Sequence, residues 1–204
     1  MKKIKFIINE LSRLYPNPVC ALFYGAPHEL MIAARLSAQC TDKRVNLVTP
    51  ALFARFTSVN DFAEAEVSEV ESFVRSCGLY KTKASDIVNM CRILRDDFGG
   101  IIPDSIDELL KLPGIGRKTA NLLIGTLYGK PAVVTDTHVI RLSNRLGLVK
   151  SENPVKVENA LRKLVPEREQ MNFCHRLVFF GRDTCKAQKP ACGNCVLKNI
   201  CTLS

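Results

Sequence analysis

Apolar side chains recur at three- and four-residue intervals along nearly the whole chain, the period of helices that bury one face. Residues 30–38 are apolar almost all round and follow Pro27, which suits a first helical turn, so a centrally buried helix is predicted there. Val45, Val48, Leu52 and Phe56 trace one face of the next helix. Ala84, Ile87, Val88, Cys91, Leu94 and Phe98 trace another, which ends at Gly99-Gly100. Ser105 and Glu108 form a capping-box pattern that starts a short helix through Lys111. Pro113-Gly114-Ile115-Gly116 breaks it, and a further helix carries Ala120, Leu123, Ile124, Leu127 and Tyr128 on one side. Helical patterns also run over 137–146, 154–165 and 168–182, and only 132–135 reads as extended. The pattern predicts an all-α fold with no long linker, low-complexity tract or repeat. Gly129-Lys130-Pro131 is the natural boundary between two lobes, should there be two.

Composition narrows the class without choosing a function. The chain has 204 residues, 47% hydrophobic and 24% charged, the profile of a folded soluble protein with room for one generous core or two compact lobes. Its net charge of +9 favours a polyanionic partner, although simple solubility explains the same number. The first six residues are basic, but Asn9, Glu10 and Arg13 interrupt the apolar stretch and no small-residue cleavage site appears, so no secretory signal is expected. No apolar run is long enough for a bilayer. A cytoplasmic protein with no membrane partner is expected, and its nine cysteines are then thiols or metal ligands rather than disulfides.

Two short helices joined by Gly114, Ile115 and Gly116 make a helix–hairpin–helix pattern. Glycines let the backbone approach a ligand closely, and the helix start beyond them presents N–H groups suited to a phosphate. An ordinary helix-to-helix turn has the same look. Lys118 sits in the first turn of the second helix beside Arg117. A cation there opposes the helix dipole, at a cost of about 0.3–1 kcal/mol. Because an amine nucleophile must be neutral, the position suits one, although a solvated lysine facing water is the commoner reading of a lone surface lysine. Asp136 follows after a helix of roughly 18 Å, a reversal at 129–131 and an extended return of similar length, so it can end near Lys118. Asp136 is equally a good N-cap for the helix beginning at Thr137.

Cys185, Cys192, Cys195 and Cys201 lie close enough in sequence to converge on one metal centre. Both iron–sulfur clusters and zinc accept four thiolates, but structural zinc is usually held by two close pairs, and only Cys192 and Cys195 form one. Cys20, Cys40, Cys77, Cys91 and Cys174 have no ligand spacing and read mostly as buried apolar thiols. Nothing in the spacing of His28, His138 and His175 suggests a metal, and His138 reads as structural.

The runs LPGIGRKTAN and TDTHVIRLSNR, with Gly129 and Pro131 between them, resemble the helix–hairpin–helix/Gly-Pro-Asp superfamily of DNA glycosylases and, within it, the endonuclease III family. The resemblance extends from LSAQCTD at 36–42 to the last cysteine. It implies a six-helix barrel over 21–130, containing the hairpin at about 105–128. It also implies a second helical lobe from 1–20 plus 131–204, whose loop at 185–201 holds a [4Fe–4S] cluster on the four cysteines. DNA would lie in a cleft between the lobes. The cluster would fold its loop and present Lys186 and Lys189 to the DNA backbone.

On the same resemblance, double-stranded DNA with a damaged base or abasic site is the partner, the protein is a monomer, and in a prokaryote it associates with the nucleoid. The target nucleotide flips out of the duplex, Gln39 fills the space left, and Leu79 is the apolar wedge. Lys118 attacks C1′, Asp136 supports the developing charge, and β-elimination nicks the strand. A lysine at position 118 implies a bifunctional glycosylase and lyase acting on oxidised or ring-saturated pyrimidines. An adenine- or mismatch-specific glycosylase of the same fold, or a non-catalytic iron–sulfur DNA-binding protein, are the alternatives. Lys81 and Lys83 are expected to contact phosphate or to stand as a solvated pair.

Overall fold

The computed structural model describes residues 2–203; Met1 and Ser204, the outermost positions of the expected second lobe, lie outside the described residues. The helices in chain order are α1 (Lys2–Leu14), α2 (Pro27–Leu36), α3 (Asp42–Arg55), α4 (Val59–Glu64), α5 (Val67–Val74) and α6 (Tyr80–Phe98). They continue with α7 (Ile106–Leu109), α8 (Arg117–Tyr128), α9 (Thr137–Arg145), α10 (Pro154–Leu164) and α11 (Gln170–Asp183). Single 3-10 turns occupy Arg75–Cys77, Glu167–Glu169, Cys192–Asn194 and Lys198–Ile200. No strand forms among the described residues, as the hydrophobic pattern led us to expect. The extended run at 132–135 is unpaired backbone whose four side chains are buried. No helix among the described residues is long and apolar enough to cross a membrane. The chain divides into two compact units, one from Ala21 to Tyr128 and one joining the stretch up to Cys20 to the stretch from Gly129 onward.

In the Ala21–Tyr128 unit, α2 lies at the centre because it has no polar face to present. Leu30, Met31, Ile32, Ala33 and Leu36 are all fully buried, with α3, α6 and α8 packed against the helix. Neither α4 nor α5 was foreseen from the apolar pattern. A reciprocal cap starts α4: Asp61 N donates to Ser58 Oγ at 3.1 Å, and Ser58 N donates to Asp61 Oδ2 at 3.0 Å. Phe62 on α4 then meets Phe56 at 5.0 Å between ring centroids and Phe53 at 6.4 Å, a cluster in which each fully buried ring contributes roughly 1.5–3 kcal/mol.

The capping box expected at Ser105 does not form. Ser105 occupies the N-cap, but its side chain makes no capping bond, and α7 stops at Leu109 rather than Lys111. Ahead of Pro113 the chain tightens into three-residue bonds, with Lys111 N donating to Glu108 O at 3.0 Å and Leu112 N to Leu109 O at 3.1 Å.

In the second unit α11 is the spine, with α1 and α9 against it and α10 against α9. Ile7 and Leu11 of α1, Val139 and Leu142 of α9, Val157 and Leu161 of α10 and Leu177 of α11 are all fully buried. Tyr15 ties the end of α1 to α11: its hydroxyl donates to Asp183 Oδ2 at 3.1 Å and its carbonyl accepts from Arg176 Nε at 3.1 Å. Burial and the Asp183 carboxylate push the Tyr15 phenol up to about 12. At Gly181, α11 runs so close to α9 that an added Cβ would stand 2.6 Å from His138 Nδ1 and 3.3 Å from His138 Cβ.

Candidate functional site

The hairpin joins α7 to α8 through Gly114, whose φ of +73° is left-handed. A Cβ at Gly114 would come within 2.5 Å of Arg35 Cδ and 2.7 Å of Asp86 Oδ2. The turn is therefore seated on an ion pair linking α2 to α6, with Arg35 Nη2 2.6 Å from Asp86 Oδ2. Ile115 is buried and its N–H donates to Leu112 O at 3.1 Å, so its side chain anchors the turn from within. Among the described residues, the N–H groups of Gly114 and Gly116 have no hydrogen-bond partner. Two such donors at the start of α8 form the kind of backbone site that takes a phosphate oxygen. Lys118 stands exposed in the first turn of α8.

Asp136 caps α9, with Val139 N donating to its Oδ1 at 2.7 Å. The cap holds the carboxylate at a fixed place on a helix whose other face is locked into α11. His175 and Cys174 of α11 lie within electrostatic range of Asp136. Burial holds the His175 imidazole below the usual histidine range and pushes the Cys174 thiol up to about 12.

Cys185, Cys192, Cys195 and Cys201 all line one cavity, with Thr184, Pro190, Ala191, Lys198 and Leu203 around them. Burial raises the pKa of the Cys195 thiol, and the three other sulfurs raise it further. Four thiolates crowded together repel one another, so a cationic centre bound among them would stabilise the deprotonated form each must adopt as a ligand. The donor set and its apolar surround fit an iron–sulfur cluster. Both ends of the loop are fastened to α9. Arg145 donates from Nη1 to Lys186 O at 2.7 Å, from Nη1 to Cys185 Sγ at 3.3 Å and from Nη2 to Ala187 O at 2.9 Å. Thr202 N donates to Arg145 O at 2.8 Å, and Arg141 Nη2 donates to Cys185 O at 2.9 Å. The sequence reading missed these two arginines. Their spacing of four on one helix face was the available signal, and it means nothing until the loop is known to return there.

Gln39 and Leu79 are both exposed. Among the described residues, the non-glycine positions with φ above zero are Gln39 (53°), Leu79 (47°) and Lys189 (50°). Each belongs to the set expected to meet DNA. Lys186, Lys189 and Lys81 are exposed, but Lys83 is not, and neither expectation for it holds. Lys83 is fully buried, and its Nζ donates to Leu36 O at 2.9 Å and Cys77 O at 2.8 Å. Two main-chain carbonyls left over by helix and turn ends draw it inward, which no local pattern could show.

Residues 32–167 match the family model described as "HhH-GPD superfamily base excision DNA repair protein", and residues 185–201 match the "iron-sulfur binding domain of endonuclease III". The chain is 45% identical over 192 residues to endonuclease III of Synechocystis sp., covering 94% of this chain and 88% of that one. It is 41% identical over 202 residues to endonuclease III of Bacillus subtilis, covering 98% and 92%. A solved endonuclease III trapped as a covalent intermediate with DNA matches at a TM-score of 0.94 and 42% identity, over 98% of this chain and 95% of that one. The chain therefore belongs to the endonuclease III family, within the helix–hairpin–helix/Gly-Pro-Asp superfamily of base-excision DNA repair proteins, and carries that family's [4Fe–4S] cluster domain.

Proposed function

We propose that this chain excises oxidised or ring-saturated pyrimidines from duplex DNA and nicks the resulting abasic site, with Lys118 as attacking amine and Asp136 as supporting carboxylate. Family membership gives the reaction class, a DNA glycosylase with abasic-site lyase activity. The observation that carries the residue assignment is the exposed amine of Lys118 in the first turn of α8, directly after the hairpin's two unpartnered N–H groups.

The neutral Nζ of Lys118 forms a bond to C1′ while the bond from C1′ to the base breaks, its electron pair and a proton leaving with the base. Asp136 stabilises the cation that develops on the sugar. The C1′–O4′ bond then opens as nitrogen's lone pair forms the C=N bond, and the nitrogen's proton passes to O4′, giving a Schiff base and a free 4′-hydroxyl. Removal of a proton from C2′ then expels the 3′-phosphate and nicks the strand. Gln39 and Leu79 fill and wedge the stack. Their left-handed backbones, at about 1–3 kcal/mol each, support the reading, since such strain persists where function requires it. Gly114, Ile115 and Gly116 hold phosphate, as do Lys186 and Lys189. Cys185, Cys192, Cys195 and Cys201 would hold the cluster, which when bound cross-links the loop that carries these lysines.

Borohydride reduction during turnover on DNA containing thymine glycol tests the assignment. A covalent adduct that disappears in Lys118→Ala supports it, and no adduct with Lys118 intact favours a binding protein. Preferred excision of mismatched adenine over oxidised pyrimidines would favour the same-fold alternative.

A further inference from the structure

Lys83 is joined to both loops that carry the proposed stack-entering residues. Its Nζ donates to Leu36 O at 2.9 Å, three residues before Gln39, and to Cys77 O at 2.8 Å, two residues before Leu79. Its main-chain N–H donates to Leu79 O itself at 3.0 Å. The side chain is fully buried, and burial lowers the pKa of its amine.

Hydrogen bonding at the end of α2 explains why an amine sits there. Ser37 N takes the carbonyl of Ala33 at 2.9 Å, Ser37 Oγ that of Ala34 at 2.8 Å, and Ala38 N that of Arg35 at 3.3 Å. Cys40 N, the usual partner of Leu36 O in a continuing helix, turns instead to Ser37 O at 3.1 Å, because Gln39 at φ 53° has taken the chain out of the helix. Leu36 O is left for Lys83, at the helix end whose dipole favours a cation. Cys77 O ends the 3-10 turn Arg75–Cys77 in the same way, just before Gly78 and Leu79 leave the right-handed region. A buried lysine is costly, and an apolar residue of similar volume would stabilise a core more cheaply. What the lysine adds is one rigid group bonded to the roots of two strained loops.

We propose that Lys83 is a positioning residue that fixes Gln39 and Leu79 relative to one another, so that filler and wedge enter the same base-pair step. This rests on the reading of Gln39 and Leu79 as DNA-contacting residues given under Proposed function. A displacement of about 1 Å in such a pair is enough to cost a large factor in rate. The cost should fall on opening the duplex rather than on the chemistry at a sugar already exposed.

The test compares two rates in the intact holoenzyme and in Lys83→Met. One is single-turnover excision of thymine glycol from duplex DNA. The other is borohydride trapping on a single-stranded oligonucleotide with an abasic site, where no stack has to be opened. We expect the first to fall about ten-fold or more and the second to stay within about two-fold, with the 2-aminopurine fluorescence rise beside the lesion reduced in parallel. Equal loss of both rates would mean a merely structural tie, and no loss of either would also overturn the proposal. Should Lys83→Met fail to fold, Lys83→Arg decides by the same pair of rates, since it keeps charge and donors but displaces the two carbonyls. Gln39→Ala and Leu79→Ala are run alongside. If neither slows duplex excision, the DNA-contact reading has failed. If both do and the Lys83 variants do not, the positioning role has failed.

Discussion

Arg145, in the last turn of α9, donates from Nη1 to the sulfur of Cys185 at 3.3 Å, the first of the four cysteines around the cluster cavity. The same guanidinium donates to the carbonyls of Lys186 and Ala187, so one side chain clamps the start of the loop while its own carbonyl accepts from Thr202 at the far end. Hydrogen bonds from a charged donor are worth about 1.5–3 kcal/mol each, and removing this one also leaves two carbonyls without their partner. Arg145→Ala should therefore retain less iron after gel filtration than wild type and lose its cluster faster under chelator. Iron content measured against protein, with Arg145→Lys as the comparison, checks this. Equal iron retention in Arg145→Ala would show that the clamp is unimportant.

The approach of α11 to α9 at Gly181 links packing to the proposed catalytic carboxylate. An added methyl would lie 2.6 Å from His138 Nδ1, and His138 is two residues beyond Asp136 on the helix that Asp136 caps. Overpacking of this kind costs about 1–3 kcal/mol. Gly181→Ala should lower the urea midpoint at unchanged m-value. It should also slow thymine glycol excision more than it weakens DNA binding, because it moves α9 while leaving the hairpin alone. A urea melt and single-turnover kinetics on the same preparation distinguish this from simple loss of folded protein.

The helical period made most of the fold legible. The helices α2, α3, α6 and α8 followed from spacing, although the stretch expected at 30–38 stops at Leu36, and chain reversals at glycine or proline set several of the other limits. The two short helices α4 and α5 escaped because six and eight residues give too few turns for a period to register. The reciprocal Ser58 and Asp61 cap was the sign that could have found α4. At Ser105 the opposite happened. Ser105 took the N-cap position that its pattern indicates, but its side chain makes no capping bond, and nothing local in the sequence shows that. In the candidate site, the thiols and the hairpin were readable because their spacing is local. Lys83, Arg141 and Arg145 were not, because each serves at least one main-chain carbonyl far away in sequence.

Lys186 and Lys189 are exposed on the loop between the first two cysteines, and Lys189 is held there with a left-handed backbone. If each neutralises one phosphate, replacing it by alanine removes one released counterion. The slope of log K against log salt should then become shallower by about 0.9 per lysine on duplex DNA. Affinity should fall equally for damaged and undamaged duplexes, since phosphate contacts carry no base information. Fluorescence anisotropy from low to moderate salt measures both. An unchanged slope in the double variant would remove these lysines from the interface.

Two histidines contribute to the loss of stability between neutral and mildly acid pH. Burial holds His175 below the usual histidine range, against the upward pull of Asp136, and does the same to His28, against Glu29 and Asp61. His28 Nε2 also has no hydrogen-bond partner among the described residues, so protonating it in the folded state would place a charged N–H where nothing accepts it. With folded values below the unfolded value of about 6.5, the unfolded chain binds protons first as pH drops. Their stabilising contribution is complete above that value and is lost as pH falls from it towards the depressed folded values. The slope is at most about 1.4 kcal/mol per pH unit for each, and smaller for the more solvated His28. Urea melts of the holoenzyme from pH 7.5 to 5.5, with cluster absorbance followed to keep metal loss apart, should show the decline. His175→Gln and His28→Gln should each flatten it. A wild-type protein equally stable at both ends would mean that neither imidazole is kept neutral by the fold.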